Sequence, residues 1–248
     1  MKLSDKMRII KIGGGVLNEL DEFEKISKSE IIVHGGSDFV DDLFKKVGKE
    51  IKRIKSLSGV EFRYTPYEDI DLFLMGMMKA NKRIVKYLQS QGIDCVGLSG
   101  LDLRIIRGKR KEILKAKIDG KRKVIRDDQS GNISSIDKEK LMDIKEIGTP
   151  VLAPIAMDEN FNPLNIDGDK LAYNVAKKFE AKELIFLSET ALLSEDKVVE
   201  EVDREDLEHI EGSVEGGMKR KLITARKALD DGVEVLKIIG LNGTTVIV

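Results

Sequence analysis

Residues 7–15, MRIIKIGGG, give the strongest indication of the fold, because a short apolar run ends there in three glycines. Lys11 interrupts this run, whose length is typical of a buried strand. The pattern recurs at residues 31–37, IIVHGGS, where a second apolar run ends at two glycines. Strands that are covered on both faces read as continuous apolar runs, so both segments predict strands of a parallel sheet.

Further along the chain, apolar runs of strand length alternate with segments of helical periodicity. Strands are predicted at residues 93–98, 150–156, 184–188, 234–239 and 244–248. Helices are predicted at residues 17–27, 66–89, 137–147, 169–179 and 216–231. For the helix 66–89 we predict Thr65 as the N-cap and Pro66 at the first helical position. This alternation predicts an α/β fold with a largely parallel sheet.

Between residues 104 and 136 the pattern changes to short strands with polar turns, and Asp119-Gly120 predicts a hairpin. Residues 104–126 carry eleven Lys or Arg against two acidic residues, a local charge of +9 in a chain of net charge −1. Three interpretations stay open: a solvated face, a nucleic-acid groove, or a docking surface for an acidic protein. The stretch contains no aromatic residue, which disfavours base stacking and therefore nucleic acid as a partner.

The composition excludes several classes of protein. The chain has 248 residues, 41% of them hydrophobic and 35% charged, which is enough to bury a core and is not typical of disorder. No apolar run approaches the ~20 residues of a membrane span, and no signal-peptide pattern is present. We therefore expect a cytoplasmic protein with no membrane partner. With one cysteine, Cys95, and two histidines, neither a disulfide framework nor a structural zinc site is expected.

Glycine clusters beside lysines remain as the chemical signal, because the P-loop, the dinucleotide fingerprint G-x-G-x-x-G and the nucleophile elbow G-x-S-x-G are all lacking. Besides residues 11–15 and 34–37, a third cluster is residues 216–221, GGMKRK. Glycine lets a backbone approach an anion closely, and amides at a helix N-terminus point toward it. Two such loops facing one gap would bind a phosphoryl group from two sides, and the lysines would neutralise its charge.

These blocks together resemble the amino acid kinase family over nearly the whole chain. The matching segments are residues 9–15 (IIKIGGG), 32–37 (IVHGGS), 63–65 (RYT), 97–102 (GLSGLD), 164–169 (LNIDGD), 187–190 (LSET) and 217–221 (GMKRK). The resemblance implies a three-layer α/β/α sandwich around a largely parallel sheet, like that of carbamate kinase, with β-hairpins. Within the family, the order and spacing are similar to N-acetylglutamate kinases, and closer still to kinases that act on the carrier protein LysW.

The resemblance also implies a role for individual residues of this chain. Catalysis is assigned to Lys11, Lys221 and Asp169, with the carboxylate holding both lysines in place. Phosphate-facing amides are assigned to Gly14, Gly36 and Ser37. Substrate contacts are assigned to Gly35, Arg63 and Asn165, the arginine pairing with the α-carboxylate and the asparagine with the amide linkage. Nucleotide contacts are assigned to Ser188, Glu189 and Lys219. Carrier docking is assigned to Lys109, Arg110, Lys111, Lys115, Lys117, Lys121 and Lys123.

Three positions depart from the related kinases. Ser37 stands where N-acetylglutamate kinases usually carry a third glycine, and Glu189 stands where they usually carry an aspartate. Leu103 follows residues 100–102, GLD, where LysW-dependent kinases tend to have glycine. An amide survives the change at position 37, whereas a special backbone angle would not.

The implied activity is ATP-dependent phosphorylation of the side-chain carboxylate of LysW-linked 2-aminoadipate, and of LysW-linked glutamate, with Mg²⁺ on the ATP phosphates. Residues 1–148 would bind the substrate and carrier and form a homodimer through the helix 66–89, and residues 149–248 would bind ATP. One alternative is an N-acetylglutamate kinase that takes the free small molecule. Another is a non-catalytic sensor on the same fold, which would be expected to lack Lys11 or Lys221, and both are present.

Overall fold

A computed structural model describes residues 7–23, 30–56, 61–118 and 121–248. In chain order the strands are β1 (Arg8–Ile12), β2 (Ile31–His34), β3 (Arg53–Ser56), β4 (Glu61–Arg63), β5 (Cys95–Leu98), β6 (Ile106–Arg110), β7 (Leu114–Ile118), β8 (Lys121–Ile125), β9 (Gly131–Ile136), β10 (Thr149–Leu152), β11 (Ile155–Met157), β12 (Pro163–Asn165), β13 (Glu183–Leu187), β14 (Leu193–Ser194), β15 (Lys197–Val198), β16 (Glu201–Val202), β17 (Val235–Gly240) and β18 (Gly243–Ile247). The α-helices are α1 (Ser37–Lys46), α2 (Ile70–Ser90), α3 (Lys138–Ile147), α4 (Gly168–Phe179), α5 (Leu207–Ser213) and α6 (Gly216–Asp230).

The centre of the molecule is an eight-stranded sheet in the order β16-β18-β17-β13-β1-β2-β10-β5. From β17 to β5 all neighbouring strands run parallel, and β18 turns back against β17. The prediction of an α/β fold with a largely parallel sheet is therefore confirmed. Smaller sheets flank it in the orders β12-β11-β6-β9 and β4-β3-β7-β8, together with the hairpin β14-β15.

Helices cover both faces of the central sheet, which explains why its strands read as continuous apolar runs. In β1, Ile9 packs into a core with α4 and α6, whereas Ile10 and Ile12 pack into a second core with α2. Successive side chains of a strand alternate between faces, so one strand serves both cores. The same alternation in β2 completes the three-layer arrangement.

The predicted helix 17–27 is wrong over the part that the structure describes. Residues 15–18 form a turn, and Leu20–Glu22 form a single 3₁₀ turn, while residues 24–29 lie outside the described part of the chain. The buried side chains Val16, Leu17, Leu20 and Phe23 suit one side of a helix, but a turn followed by 3₁₀ geometry buries them equally.

The capping prediction for the long helix is also wrong. Helix α2 begins at Ile70, after a 3₁₀ turn at Tyr67–Asp69, and no side chain caps its first turn. Thr65 is fully buried, its amide donates to Asp128 Oδ1 (2.8 Å), and its hydroxyl accepts from Asn165 Nδ2 (3.0 Å). Thr65 forms these hydrogen bonds with distant segments and makes no capping bond to the first turn of α2.

The predicted division between residues 1–148 and 149–248 falls just before β10, a strand that pairs with β2 and β5, both of the first part. Helix α3 ends at Ile147, and β10, which follows it, lies between β2 and β5 in the central sheet. The hairpin residues Asp119-Gly120 lie outside the described residues, and the flanking strands β7 and β8 pair antiparallel as predicted. Within the described ranges, no helix has the length and apolarity needed to cross a bilayer.

Candidate active site

Two glycine loops meet at the carboxyl ends of β1 and β2. The strands are parallel neighbours with Ile12 opposite His34, so the loops that follow leave the sheet at the same edge. A Cβ on Gly14 would lie 3.2 Å from the amide nitrogen of Gly36, and one on Gly35 would lie 3.1 Å from that of Gly14. The loops thus touch backbone to backbone, which only residues without a side chain allow.

The lysine within β1 has an acidic partner. Lys11 is 8% exposed, and its Nζ lies 2.7 Å from Oδ1 of Asp169, which is 7% exposed. Asp169 lies in the first turn of α4, whose N-cap is Asp167, accepting from the Lys170 amide. Burial by itself would raise the pKa of Asp169, but the charges of Lys11 and Lys221 outweigh burial and lower it. The carboxylate therefore stays ionised between the two ammonium groups.

Helix α6 brings the second lysine to the same place. Burial and the nearby charge of Lys11 lower the pKa of Lys221, while Asp169 and Glu189 act in the opposite direction. Glu189 follows β13, and a Cβ on Gly15 would fall 2.5 Å from its carboxyl carbon, so the glutamate packs directly on the first glycine loop. Buried Lys11 and partly buried Lys221 thus both lie within electrostatic reach of Asp169, and two positive charges beside one carboxylate favour an additional anion.

Arg63 reaches the second glycine loop from β4. Its Nη2 donates to Ser37 Oγ (2.9 Å) and to the Ser37 carbonyl oxygen (3.1 Å), and it forms an ion pair with Asp41. The other guanidinium nitrogen, Nη1, is buried with no hydrogen-bond acceptor among the described residues. Such a buried donor is rare in proteins and requires an explanation, of which a ligand that brings an acceptor is one.

Sequence reasoning missed two members of this cluster, Asp41 and Arg53. Arg53 pairs opposite Arg63 across β3 and β4, and its Nη2 donates to Asp41 Oδ2 (2.6 Å) and to Ser37 Oγ (3.2 Å). The available signal was the position of Asp41 one helical turn after Ser37 on the amphipathic helix α1. Its partners lie on strands whose pairing the sequence does not give.

The remaining candidate residues lie on the rim of this region. Asn165 ends β12 and binds Thr65, two residues after Arg63. Ser188 is 8% exposed at the end of β13, and its amide donates to the Ile239 carbonyl (2.9 Å). Lys219 is partly exposed in the first turn of α6, two residues before Lys221.

The predicted basic docking surface divides between two sheets. Lys109 and Arg110 belong to β6, whereas Lys115 and Lys123 belong to β7 and β8. Arg110 Nη1 donates to the carbonyl oxygens of Arg126 (2.9 Å) and Asp128 (3.4 Å), so this arginine also ties the flanking loop to β6. The side chains of Lys117 and Lys121 lie outside the part of the chain that the structure describes.

Lys111, just after β6, faces the start of α4. Burial and the charge of Lys170 lower the pKa of Lys111, and the carboxylates of Asp128 and Asp167 act against this. Asp167 also lies 3.8 Å from Arg220 Nη1, at the start of α6. Asp167 therefore has two basic neighbours, Lys111 and Arg220.

A family model for the amino acid kinase family matches residues 6–240. The chain belongs to the amino acid kinase family. The resemblance expected from the sequence motifs is confirmed. This amino acid kinase carries its two glycine loops, both lysines and Asp169 inside the matched region.

Curated relatives of this kinase match at full length. One from Pyrococcus furiosus is 45% identical over 248 residues, covering 97% of this chain and 100% of the relative. One from Pyrococcus abyssi is 47% identical over 245 residues, with the same coverage. Both bear the name "Putative LysW-aminoadipate/LysW-glutamate kinase".

Solved structures with this fold include smu.665 from Streptococcus mutans, with a TM-score of 0.79 at 22% identity, covering 97% of this chain and 98% of that one. They also include a carbamate kinase from Giardia, with a TM-score of 0.60 at 15% identity, covering 98% of both chains. At these identities the likeness shows the fold, and the expected carbamate-kinase-like architecture is confirmed.

The residues present fit the ATP that a kinase of this family uses. The two glycine loops bring backbone amides close together, and the ammonium groups of Lys11 and Lys221 lie near Asp169 at the same place. Within the described ranges, no group of three or more His, Cys, Asp or Glu is placed to hold a metal ion.

Proposed function

We propose that this chain is an ATP-dependent carboxylate kinase that phosphorylates the side-chain carboxylate of 2-aminoadipate carried by LysW, and also LysW-linked glutamate. The observation that carries the kinase chemistry is the cluster of Lys11, Asp169 and Lys221 beside two touching glycine loops. The substrate is supported by the names of the full-length relatives at 45–47% identity. The products belong to lysine biosynthesis and, for glutamate, to arginine biosynthesis.

The reaction needs no general base, because the attacking carboxylate is already ionised. One of its oxygens forms a bond to the γ-phosphorus, the bond from phosphorus to the β–γ bridging oxygen breaks, and ADP leaves with that electron pair. The activation barrier arises from bringing two anions together and from the negative charge on the phosphoryl group during its transfer. Lys11 and Lys221 supply opposed positive charges, amides of Gly14, Gly36 and Ser37 donate to the phosphoryl oxygens, and Mg²⁺ neutralises the nucleotide phosphates when bound.

Asp169 acts as the positioning group in this scheme. Two buried ammonium groups repel each other, and the carboxylate at 2.7 Å from Lys11 offsets that repulsion. When the phosphoryl group arrives, it offers both lysines a further anionic partner. Asp169 therefore keeps both lysines in position before the substrate binds, so that they are already placed for the transition state.

The amino-acid end of the substrate is assigned to the loop 35–37 and to Arg63. The buried and unpaired Nη1 of Arg63 supports a carboxylate ligand at this position. Gly35 and Asn165 complete the substrate contacts, with the asparagine on the amide linkage. Residues 1–148 form the substrate lobe in this proposal, and residues 149–248, with Ser188, Glu189 and Lys219, form the ATP lobe.

The carrier would dock on the basic sheet β4-β3-β7-β8, and strand register supports one of its two faces. Residues directly opposite in paired strands share a face, and neighbours along a strand alternate. Ser56 pairs with Ala116, and Ala116 pairs with Lys123, so these three share one face. The opposite face is the one that Arg63 uses to reach Ser37. Among the side chains that the structure describes, the basic members of this face besides Arg63 are Arg53, Lys55, Lys115 and Arg122.

This register narrows the docking proposal to the face beside the site. An acidic carrier would be steered there with strong salt dependence. Arg122→Glu is expected to raise KM for the carrier-linked substrate at least tenfold more than Lys123→Glu does. Lys227→Glu, at an exposed position of α6, serves as the control. Equal effects of the substitutions at 122 and 123 would count against this face.

The substrate itself is tested by comparing purified carrier-linked aminoadipate with free N-acetylglutamate at equal concentrations. The proposal expects acyl-phosphate formation, trapped as hydroxamate, to be at least a hundredfold faster with the carrier-linked compound. Comparable turnover of the free compound would favour the N-acetylglutamate kinase alternative. No turnover with either, in a protein that binds ATP, would favour the sensor.

Assembly and location complete the proposal. A homodimer through α2 is supported by Met75, which is 58% exposed on that helix, whereas Met77 beside it is 6% exposed and belongs to the core. Light scattering of the wild type and of Met75→Glu tests this contact. A monomeric wild type would count against it, and a cytoplasmic location stays part of the same proposal.

A further inference from the structure

A buried histidine and a buried asparagine lie directly beneath the second glycine loop. His34 ends β2, Asn81 lies on α2, and the side chains of both are fully enclosed. His34 Nδ1 lies 2.6 Å from the carbonyl oxygen of Gly35, and Nε2 lies 3.1 Å from Asn81 Nδ2. The mechanism above uses neither residue, yet both polar groups are kept in the core.

The surroundings of Asn81 fix the tautomer of the histidine. Asn81 Nδ2 also lies 2.9 Å from the carbonyl oxygen of Val151, so this atom must be the NH₂ donor. The facing nitrogen of the ring, Nε2, must then accept, which leaves the proton on Nδ1. His34 Nδ1 therefore donates to the Gly35 carbonyl.

The ring is neutral. Burial lowers the pKa of His34 to about 4; the bond to Gly35 opposes this and the charge of Lys11 adds to it. A third positive charge beside Lys11 and Lys221 is thus avoided.

Holding the Gly35 carbonyl also fixes the next amide. In a trans peptide the N–H of Gly36 points opposite to the Gly35 C=O, that is, away from the imidazole ring. The Gly36 nitrogen faces Gly14 across the two loops, 3.2 Å from where a Cβ on Gly14 would lie. Ala80, the residue before Asn81, closes the other side, since a Cβ on Gly36 would meet its Cβ at 2.8 Å.

We propose that His34 and Asn81 are positioning residues that orient the Gly36 amide toward the transferred phosphoryl group. This inference rests on the proposed phosphoryl-transfer function. Asn81 holds the ring, the ring holds the Gly35 carbonyl, and the peptide plane then aims the Gly36 N–H into the gap. Neither side chain touches the substrate.

Two substitutions distinguish the effect of the hydrogen bond donated to Gly35 from that of the imidazole ring as such. His34→Asn places an amide nitrogen where the ring has Nδ1 and keeps the bond to Gly35. His34→Gln places its amide at the distance of Nε2 and loses that bond. Exposed His209 on α5, replaced by glutamine, gives the matched control.

The readout is binding of MgADP and of the magnesium complex of the non-hydrolysable triphosphate AMP-PNP, measured by calorimetry. Only the triphosphate carries the group that the Gly36 amide would contact. We expect His34→Gln to weaken AMP-PNP about tenfold, equal to about 1.4 kcal/mol, with ADP affinity unchanged. His34→Asn should retain most of the wild-type affinity for AMP-PNP. We expect kcat to be highest in the wild type, lower in His34→Asn and lowest in His34→Gln, while KM for the carboxylate substrate stays constant.

A folded His34→Gln protein with the wild-type ratio of AMP-PNP to ADP affinity would overturn the proposal. So would equal losses in the asparagine and glutamine variants, since the ring rather than the donor would then matter. Asn81→Ala provides a second variant on another element, and the same selective loss is expected. Because the titration needs no carboxylate substrate, it decides the positioning role even if the proposed substrate is wrong.

Discussion

Helices α1 and α2 touch at a point where only glycine fits, and the second glycine loop depends on this contact. A Cβ on Gly76 would lie 2.7 Å from Val40 Cα and 2.8 Å from Val40 Cγ2. Ordinary contacts at such positions are 3.4–4 Å, so Gly76→Ala requires α1 to shift by about 1 Å. Helix α1 begins at Ser37, and the shift is transmitted directly to the proposed phosphate-binding amides.

The expected consequence is a loss of activity out of proportion to the loss of stability. A misplacement of about 1 Å can cost roughly a hundredfold in rate, whereas overpacking of this kind costs about 1–3 kcal/mol of unfolding free energy. The assay is kcat for acyl-phosphate formation together with urea unfolding. Gly212→Ala on α5, where an added Cβ meets nothing within 4 Å, is the control.

A stable Gly76→Ala protein whose kcat stays within about threefold of the wild type would refute this reasoning. It would mean that the loop holds its geometry without α2. A variant that fails to fold is replaced by Gly76→Ala with Val40→Ala, which removes the Cγ2 contact, leaves the backbone contact with Val40 Cα, and is expected to recover part of the stability and of the rate.

The remaining predictions concern single residues. Leu103 has φ +52° and is 63% exposed, so Leu103→Gly relieves left-handed strain at little cost in packing. The substitution should raise the unfolding free energy, measured in urea, by about 0.5–1 kcal/mol. A lower unfolding free energy would contradict this. Asp169 has a lowered pKa when folded, so its stabilising contribution is complete above the unfolded value of about 3.9 and is lost as pH falls through the lower folded pKa. The difference in unfolding free energy between wild type and Asp169→Asn should therefore shrink between about pH 5 and pH 2, and a constant difference would count against the ion pair. Arg63→Lys keeps the charge but loses the two-nitrogen geometry, so KM for the substrate should rise at least tenfold with kcat less affected; an unchanged KM would remove Arg63 from the substrate site.

The resemblance to the amino acid kinase family implied the candidate cluster of Lys11, Asp169 and Lys221, and Lys11 added a physical reason for it. Lys11 interrupts an apolar strand, and a lysine in that position requires an acidic partner, which the structure identifies as Asp169. The glycine runs after β1 and β2 follow from the same logic, since parallel neighbours end at one edge of the sheet.

What the sequence did not predict depends on pairing between distant segments. Thr65 has the local pattern of an N-cap, but Asp128 and Asn165 bind it instead. The hydrogen bond between Arg53 and Asp41 joins a strand to a helix, and the spacing of the two residues in the sequence does not predict it. Which basic residues share the face of Arg63 is decided by strand register, which a one-residue slip would reverse.

Leu103 shows a departure from the family pattern with a physical consequence. The expected glycine position has a left-handed backbone, and Arg104 after it has the same φ of +52°. The sequence marked the position as unusual, and only the backbone angle explains why glycine is favoured there.

The most direct test of the account is the turnover of Lys11→Met and of Lys221→Met, each compared with Lys227→Met on the exposed part of α6. The account predicts that each of the first two lowers kcat for acyl-phosphate formation at least a hundredfold in a folded protein, with the control unchanged. A folded protein that lacks either ammonium group and keeps turnover within about threefold of the wild type would contradict it.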